Sequence, residues 1–207
     1  DTRDFVVIHV GDQAYQQFSA GQTNCEITIG VHPGHQAAAN NSFHLVAASS
    51  NTNIQLERGV PVMDHVTHGA WNFYTFTVET PLSAQDDAVI LSMTPYSGDP
   101  DFYASTSVPR PNVTHHDPDK SSTYNGRDVI MYEPGDAGWC TGFPCKFYIG
   151  VTSFSTNSSY SIMARELGNY TTTLISGHPL LDFVQQHEMN EIGRDTSELQ
   201  SPYDLVC

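Results

Sequence analysis

The sequence predicts an all-β protein, built as tandem antiparallel β-sandwiches of the jelly-roll-like or immunoglobulin-like kind. Runs of apolar, aromatic and β-branched residues of strand length dominate the chain, and clusters of Gly, Pro, Asp, Asn and Ser separate them. Helical periodicity is weak, and only Pro179 to Glu191 offers a stretch compatible with a helix. An internal repeat with an offset of 120 residues indicates more than one sandwich.

Five strands are predicted in the central part of the chain. They are Asn72 to Val78, Ala88 to Met93, Val129 to Tyr132, Lys146 to Val151 and Tyr160 to Ala164. The first reads Asn-Phe-Tyr-Thr-Phe-Thr-Val, a composition that fits a pleated and half-buried surface. No apolar run approaches the roughly 18 residues of a membrane-spanning helix, so no membrane span is predicted.

The internal repeat rests on two blocks that recur at nearly the same offset. Cys25-Glu-Ile-Thr-Ile-Gly-Val31 matches Cys145-Lys-Phe-Tyr-Ile-Gly-Val151, 120 residues later. Leu56-Glu-Arg-Gly59-Val-Pro61 matches Leu174-Ile-Ser-Gly177-His-Pro179, 118 residues later. Two separate blocks at nearly one offset indicate duplication of a whole structural unit.

This period divides the chain into three parts. Residues 1–50 form the second half of a sandwich, residues 51–167 a complete sandwich, and residues 168–207 the start of a further repeat or a C-terminal extension. The strand from Phe73 to Val78 has no counterpart in sequence between Glu191 and Thr196. A half-sandwich cannot pair its edges alone, so we expect a partner chain or a missing segment to complete residues 1–50.

The charge balance narrows the range of partners. Lys and Arg number 8 against 23 Asp and Glu, which gives a net charge of −15. Nucleic acid is excluded as a partner, because its phosphates are neutralised by clustered basic side chains. An anionic membrane surface is disfavoured for the same reason.

The cysteines predict an oxidising compartment. Cys140 and Cys145 bracket Thr-Gly-Phe-Pro, a turn composition that favours a local disulfide. A zinc site is the rival interpretation, but a C-x4-C pair without a second ligand pair nearby does not fit finger spacing. Cys25 and Cys207 remain, and a disulfide between subunits is one way to pair them.

Asparagine motifs also indicate an extracellular glycoprotein. Four N-x-[ST] sequons occur, at Asn40, Asn112, Asn157 and Asn169. We expect N-linked glycans on at least two of them, the alternative being that they are ordinary loop asparagines.

Four segments of the central repeat follow one another in an order typical of a known family. They are Gly59-Val-Pro61, Trp71 to Val78, Ser97-Gly-Asp-Pro-Asp-Phe-Tyr103, and a closing hairpin of Phe147 to Val151 with Ser159 to Ile162. Together they resemble the pre-peptidase C-terminal domains, and the second half of the pattern recurs at residues 3–48. The resemblance implies a small jelly-roll-like sandwich, a secreted and non-catalytic accessory module. The chain departs from the family in carrying no protease and in adding Cys140 and Cys145.

Catalytic motifs do not appear in the sequence, and no enzyme activity is predicted. His187-Glu188 begins like a zincin helix, but Glu191 occupies the position of the second histidine. His115-His116-Asp117 has two interpretations, a metal site or a solvated loop. Trp71 and Tyr74 have two as well, a ligand platform or core packing.

Calcium is the one metal for which the sequence offers candidates, because this ion prefers several oxygen ligands. The candidate carboxylates are Asp99, Asp101, Asp117 and Asp119. For Asp99 the alternative role is to accept backbone hydrogen bonds in a tight turn. No other cofactor is predicted.

Two functions follow from these observations. In the first, the chain is a structural subunit of an extracellular glycosylated assembly, which polymerises head-to-tail by strand complementation between subunits. In the second, it is an accessory module of a larger secreted protein, such as a protease, and recognises a polysaccharide or a fibrous protein. The first function predicts other copies of the chain as partners, and the second predicts neighbouring repeats of the same protein.

Overall fold

The computed structural model describes residues 29–30, 52–81, 88–123, 128–167, 171–175, 177–182 and, for the backbone alone, 191–194. The chain divides into two compact units, Asp1–Phe43 and His44–Cys207. Ile29 and Gly30 are the described residues of the first unit. They lie outside any strand, and Ile29 is 51% exposed.

Every regular element in the described ranges is a strand. They are β1 (Ile54–Gln55), β2 (Val62–Val66), β3 (Trp71–Val78), β4 (Val89–Ser97), β5 (Pro100–Ser105), β6 (Ser121–Ser122), β7 (Asp128–Tyr132), β8 (Cys145–Ser153), β9 (Ser158–Glu166), β10 (Thr171–Leu174) and β11 (Glu191–Arg194). The five strands predicted from sequence correspond to β3, β4, β7, β8 and β9. Consequently none of these ranges holds a helix of the length and hydropathy that a bilayer requires.

Two sheets form the sandwich. Sheet A has the strand order β1-β3-β8-β5-β6, and sheet B has the order β2-β9-β4-β7. All neighbours are antiparallel except β1 and β3, which run parallel. A separate pair, β10 and β11, is also parallel. The all-β sandwich prediction is confirmed.

The core lies between the inner faces of the two sheets. Alternate residues of β3, namely Tyr74, Phe76 and Val78, are at most 2% exposed, as the period of two in a strand requires. Leu91 and Met93 of β4 are fully buried and belong to the same apolar cluster. Each such side chain stabilises the fold by about 1.5–3 kcal/mol relative to an exposed one.

A buried polar cluster joins the sheets within this core. The Tyr74 hydroxyl donates to Asp64 Oδ2 at 2.6 Å and lies 2.7 Å from the Tyr160 hydroxyl. Asn72 Nδ2 donates to the Tyr160 hydroxyl at 3.0 Å. Burial is the main cause that raises the pKa of both tyrosines, so they remain neutral donors. These contacts link β3 of sheet A to β2 and β9 of sheet B.

Two local expectations were wrong. Pro179 to Asp182 is irregular rather than helical, because the Leu181 N–H donates to Thr94 Oγ1 of β4 at 2.7 Å instead of to its own segment. The supposed closing hairpin is not one, since β8 and β9 lie in different sheets. A strand that the sequence did not predict, β11, lies at Glu191–Arg194 and pairs in parallel with β10.

We predict that Gly150→Ala destabilises the sandwich by about 1–3 kcal/mol, the usual cost of overpacking. A Cβ at Gly150 would meet the Pro111 carbonyl oxygen and lie 3.2 Å from Phe73 Cε1. The matched control is Gly142→Ala, where a Cβ has nothing within 4 Å. Urea denaturation of both variants is the measurement, and equal midpoints would contradict this packing.

Candidate functional site

The outer face of sheet A carries three aromatic side chains, which we call the aromatic row: Trp71, Phe73 and Tyr103. The rings of Trp71 and Phe73 are stacked, with centroids 6.1 Å apart and an interplanar angle of 11°. The Tyr103 ring lies 5.8 Å from that of Trp71. Phe73 and Tyr103 both pair with Gly150 of β8, from opposite sides. The missing side chain of Gly150 opens a gap in the middle of the row.

A loop of the chain itself covers the aromatic row. The Pro111 carbonyl enters the gap above Gly150. The Arg110 guanidinium lies over the Phe73 ring, 4.7 Å from its centroid, and the His116 ring lies 5.2 Å from that of Tyr103. We call residues 106–116 the covering loop. The row therefore serves as a packing surface for this loop.

Asp117 fixes the end of the covering loop. Its carboxylate accepts from Ser105 Oγ at 2.7 Å, from the Thr106 N–H at 2.9 Å and from the Tyr132 hydroxyl at 3.0 Å. The side chain is buried, so the solvated-loop interpretation of this residue was wrong. Burial, followed by the Asp117 charge, raises the pKa of Tyr132 well above its ordinary value. Hydrogen bonds from three residues hold this buried carboxylate in place, so Asp117 acts as a structural anchor.

The covering loop presents one sequon at a tight turn. The Asn112 N–H donates to the His115 carbonyl at 2.9 Å, and Asn112 Oδ1 accepts from Thr114 Oγ1 at 3.0 Å. Asn157 is exposed in the turn between β8 and β9, where its Oδ1 accepts from the His68 N–H at 2.9 Å. Asn40 and Asn169 lie outside the described residues.

Three acidic side chains whose charges interact lie at β5, at β7 and in the turn before β5: Asp101, Asp128 and Asp99. Burial, followed by the charge of Asp99, raises the pKa of Asp101 to about 6. Burial also raises the pKa of Asp128 to about 7, against the lowering effect of the Ser122 hydrogen bond and with help from the charges of Asp101 and Asp99. Asp128 Oδ2 is buried without a hydrogen-bond partner among the described residues.

The structure does not bring the calcium candidates into one ligand set. Within the described ranges, no group of three or more His, Cys, Asp or Glu side chains is arranged to hold a metal ion. Asp119 is exposed and has a positive φ of 59° at a turn. His187 and Glu188 of the zincin-like stretch fall outside the described residues.

One of the two predicted cysteine pairs lies within the described residues. Cys140 and Cys145 form a disulfide with an S–S distance of 2.06 Å. It closes the loop that enters β8, beside the partly buried rings of Trp139 and Phe143. Cys25 and Cys207 lie outside the described residues.

The segment after the complete sandwich packs on the outer face of sheet B, and we call this contact the junction. Arg165 of β9 is fully buried, and its Nε donates to Asp182 Oδ1 at 2.9 Å. Asp182 Oδ2 accepts from Thr172 Oγ1 at 3.1 Å. The Tyr96 and His178 rings lie 5.5 Å apart. No local sequence pattern predicts these pairs, because their partners are 10 to 82 residues apart.

Comparisons with known proteins give one structural likeness. No protein-family model matches the sequence, and no curated protein matches it. Among solved structures, the chain is similar to the pre-peptidase C-terminal domain of a collagenase from Bacillus anthracis, with 12% identity and a TM-score of 0.38. The match covers 57% of this chain and 100% of that domain.

We predict that Asp128→Asn flattens the pH dependence of stability between about pH 4 and pH 7. Because the folded pKa of Asp128 is about 7 and its ordinary value is 3.8, the native state binds this proton more tightly. The free energy of unfolding of the wild type therefore falls as pH rises through this window, and Asp101 acts in the same direction up to about pH 6. Denaturant titrations at several pH values measure the slope.

The control for this prediction is Asp119→Asn, at an exposed position where asparagine tolerates the positive φ. It is expected to keep the wild-type slope. A wild-type slope in Asp128→Asn would mean that this carboxyl group is not the one that titrates.

Proposed function

We propose that this chain is a non-catalytic accessory module of a larger extracellular glycoprotein, in which one β-sandwich follows another. The observation that carries the proposal is a repeated strand pairing. Ile54 of β1 pairs in parallel with Tyr74 of β3, and Thr172 of β10 pairs in parallel with Ile192 of β11. In both cases the partners are 20 residues apart, and the two pairs are related by an offset of 118 residues, the offset of the sequence blocks.

The turn after each first strand supports the same interpretation. The Val60 N–H donates to the Glu57 carbonyl at 3.2 Å, and the His178 N–H donates to the Ile175 carbonyl at 3.2 Å. Gly59 and Gly177 occupy these turns with positive φ angles of 67° and 74°. A side chain is strained in that conformation, which accounts for glycine at both positions.

The complete sandwich and the segment that follows it would be joined closely rather than by a flexible linker. The Thr173 N–H donates to the Gly59 carbonyl at 2.9 Å, and a Cβ at Gly59 would lie 2.6 Å from the Thr171 carbonyl oxygen. The junction adds the ion pair between the fully buried Arg165 and the partly buried Asp182. Such contacts favour a run of sandwiches with fixed spacing, as a scaffold needs.

An extracellular setting is supported by the disulfide and by the two described sequons. Disulfides persist in oxidising compartments. Asn112 and Asn157 stand at turns, Asn112 partly exposed and Asn157 exposed, and N-linked glycans attach to surface loops. The aromatic row is occupied by the covering loop, so binding of a polysaccharide there would require that loop to leave.

A second candidate function is the self-assembling structural subunit. The specific observation in its favour is Ile29, which is 51% exposed although its counterpart in the repeat, Ile149, is completely buried. An apolar residue at a core position of the repeat indicates a surface that another strand covers.

We predict that the secreted polypeptide containing this chain appears as a row of beads in negative-stain images. Glycopeptide mass spectrometry of the same material is expected to find glycans on Asn112 and Asn157. A compact particle with one sandwich attached to a catalytic domain would contradict the serial arrangement, and unmodified asparagines would contradict the glycoprotein assignment.

A further inference from the structure

The connection between β8 and β9 is short and is closed by hydrogen bonds. Four residues, Phe154 to Asn157, join Ser153 of β8 to Ser158 of β9. The Ser158 hydroxyl donates to the Ser153 hydroxyl at 2.9 Å, and the Ser153 hydroxyl donates to the Thr156 carbonyl. These bonds hold the two ends of the connection together, so its first and last residues leave the sandwich at neighbouring points.

The first residue of the connection is an aromatic side chain in solvent. Phe154 is 53% exposed, whereas Phe147 of β8 is completely buried. A single exposed apolar side chain is common on protein surfaces and assigns no role by itself. The role of Phe154 therefore depends on what the connection places beside it.

The last residue of the connection is the asparagine of a sequon. Asn157 is exposed, and its Oδ1 accepts a hydrogen bond from the His68 N–H at 2.9 Å. Because the oxygen and the nitrogen of an amide diverge from one carbon, Nδ2 is directed away from the His68 N–H. This nitrogen is the atom that carries an N-linked glycan. The glycan-bearing amide is thus held in one orientation within the same four-residue connection as the exposed ring.

The spacing of the ring and the asparagine is particular to this sequon. Phe154 stands three residues before Asn157. At the other three sequons the residue in this place is not aromatic: it is Ala37 before Asn40, Pro109 before Asn112 and Glu166 before Asn169. The chain therefore matches one exposed ring to one glycosylation site.

We propose that the Phe154 ring binds the first sugar of an N-linked glycan on Asn157. That sugar, an N-acetylglucosamine, has one face of axial C–H bonds, whose partial positive charge is attracted by the negative face of an aromatic ring. Stacking also removes apolar surface of both groups from water, so the glycan covers a ring that is otherwise 53% exposed. The inference rests on the proposed function in one respect, that the chain is glycosylated at Asn157.

The test is a double-mutant cycle on the full chain, secreted from eukaryotic cells. Phe154→Ala is made in the glycosylated chain and in a Ser159→Ala background, which removes the sequon but keeps Asn157 and its bond to His68. The Ser159 hydroxyl bond to Ser97 is lost in both members of that background, so its cost cancels. Urea denaturation gives the cost of Phe154→Ala in each background.

We expect Phe154→Ala to raise the unfolding equilibrium constant by about two- to tenfold more in the glycosylated chain than in the Ser159→Ala background, the range found for aromatic pairs. The control is Val113→Ala, because Val113 is 48% exposed and belongs to the other described sequon. Its cost is expected to be the same in both backgrounds. Equal costs of Phe154→Ala in the two backgrounds, or an equally large difference for Val113→Ala, would overturn the proposed contact.

The stacked sugar also has a spectroscopic signature, the upfield shift that an aromatic ring current causes in protons above its face. In the wild-type chain, with each glycan trimmed to its first sugar, we expect upfield-shifted proton resonances of the N-acetylglucosamine on Asn157. Phe154→Leu keeps an apolar side chain but removes the ring, and we expect it to abolish the shift. Unshifted resonances in the wild type, or a shift that persists in Phe154→Leu, would overturn the stacking.

Glycopeptide mass spectrometry separates the failure of this inference from that of the proposed function. A glycan on Asn157 together with equal costs of Phe154→Ala in the two backgrounds would overturn the stacking and leave the glycoprotein assignment standing. An unmodified Asn157 would overturn both.

Discussion

Strand β3 has a neighbouring strand on each side within sheet A, and much of the structure depends on the pairing of both of its edges. Backbone groups buried without partners cost free energy comparable to lost hydrogen bonds, so an interior strand needs two neighbours. The short strand β1 supplies one edge and the long strand β8 supplies the other. With both in place, Tyr74 is held in the core, and from there it reaches Asp64 and Tyr160 of the opposite sheet.

The same need for hydrogen-bond partners explains where the acidic side chains of the sandwich lie. Asp64, Asp117 and Asp182 are placed where tyrosine, serine or arginine donors satisfy their oxygens, so each joins segments that are distant in sequence. Asp128 is different, since its Oδ2 is buried without a described partner and its pKa rises to about 7. A net charge of −15 is thus compatible with a dense core, provided that most buried acids receive donors and the others take up a proton.

Sequence alone predicted the elements whose residues carry a local signal. The strands β3, β4, β7, β8 and β9 are rich in aromatic and β-branched residues. For Tyr74 the sequence left a ligand platform and core packing open, and its complete burial places it in the core. The strand β11 was missed because its sequence, Glu-Ile-Gly-Arg, has no such signal, and its backbone pairing with β10 alone defines it. The covering loop was missed for another reason. The approach of Pro111 to Gly150 depends on tertiary packing, and a glycine within a strand only hints at it.

Gly150 also shows why a repeated sequence does not guarantee a repeated environment. Its lack of a side chain is required in the complete sandwich, because the Pro111 carbonyl fills that space. Gly30 has the same place in the repeated block, yet no atom of the described residues lies within 4 Å of a Cβ placed there. Glycine in a strand interior weakens the strand unless something approaches closely, and at Gly150 the Pro111 carbonyl is that close neighbour. The same contrast holds for the preceding residue of each block, since Ile149 is completely buried whereas Ile29 is 51% exposed.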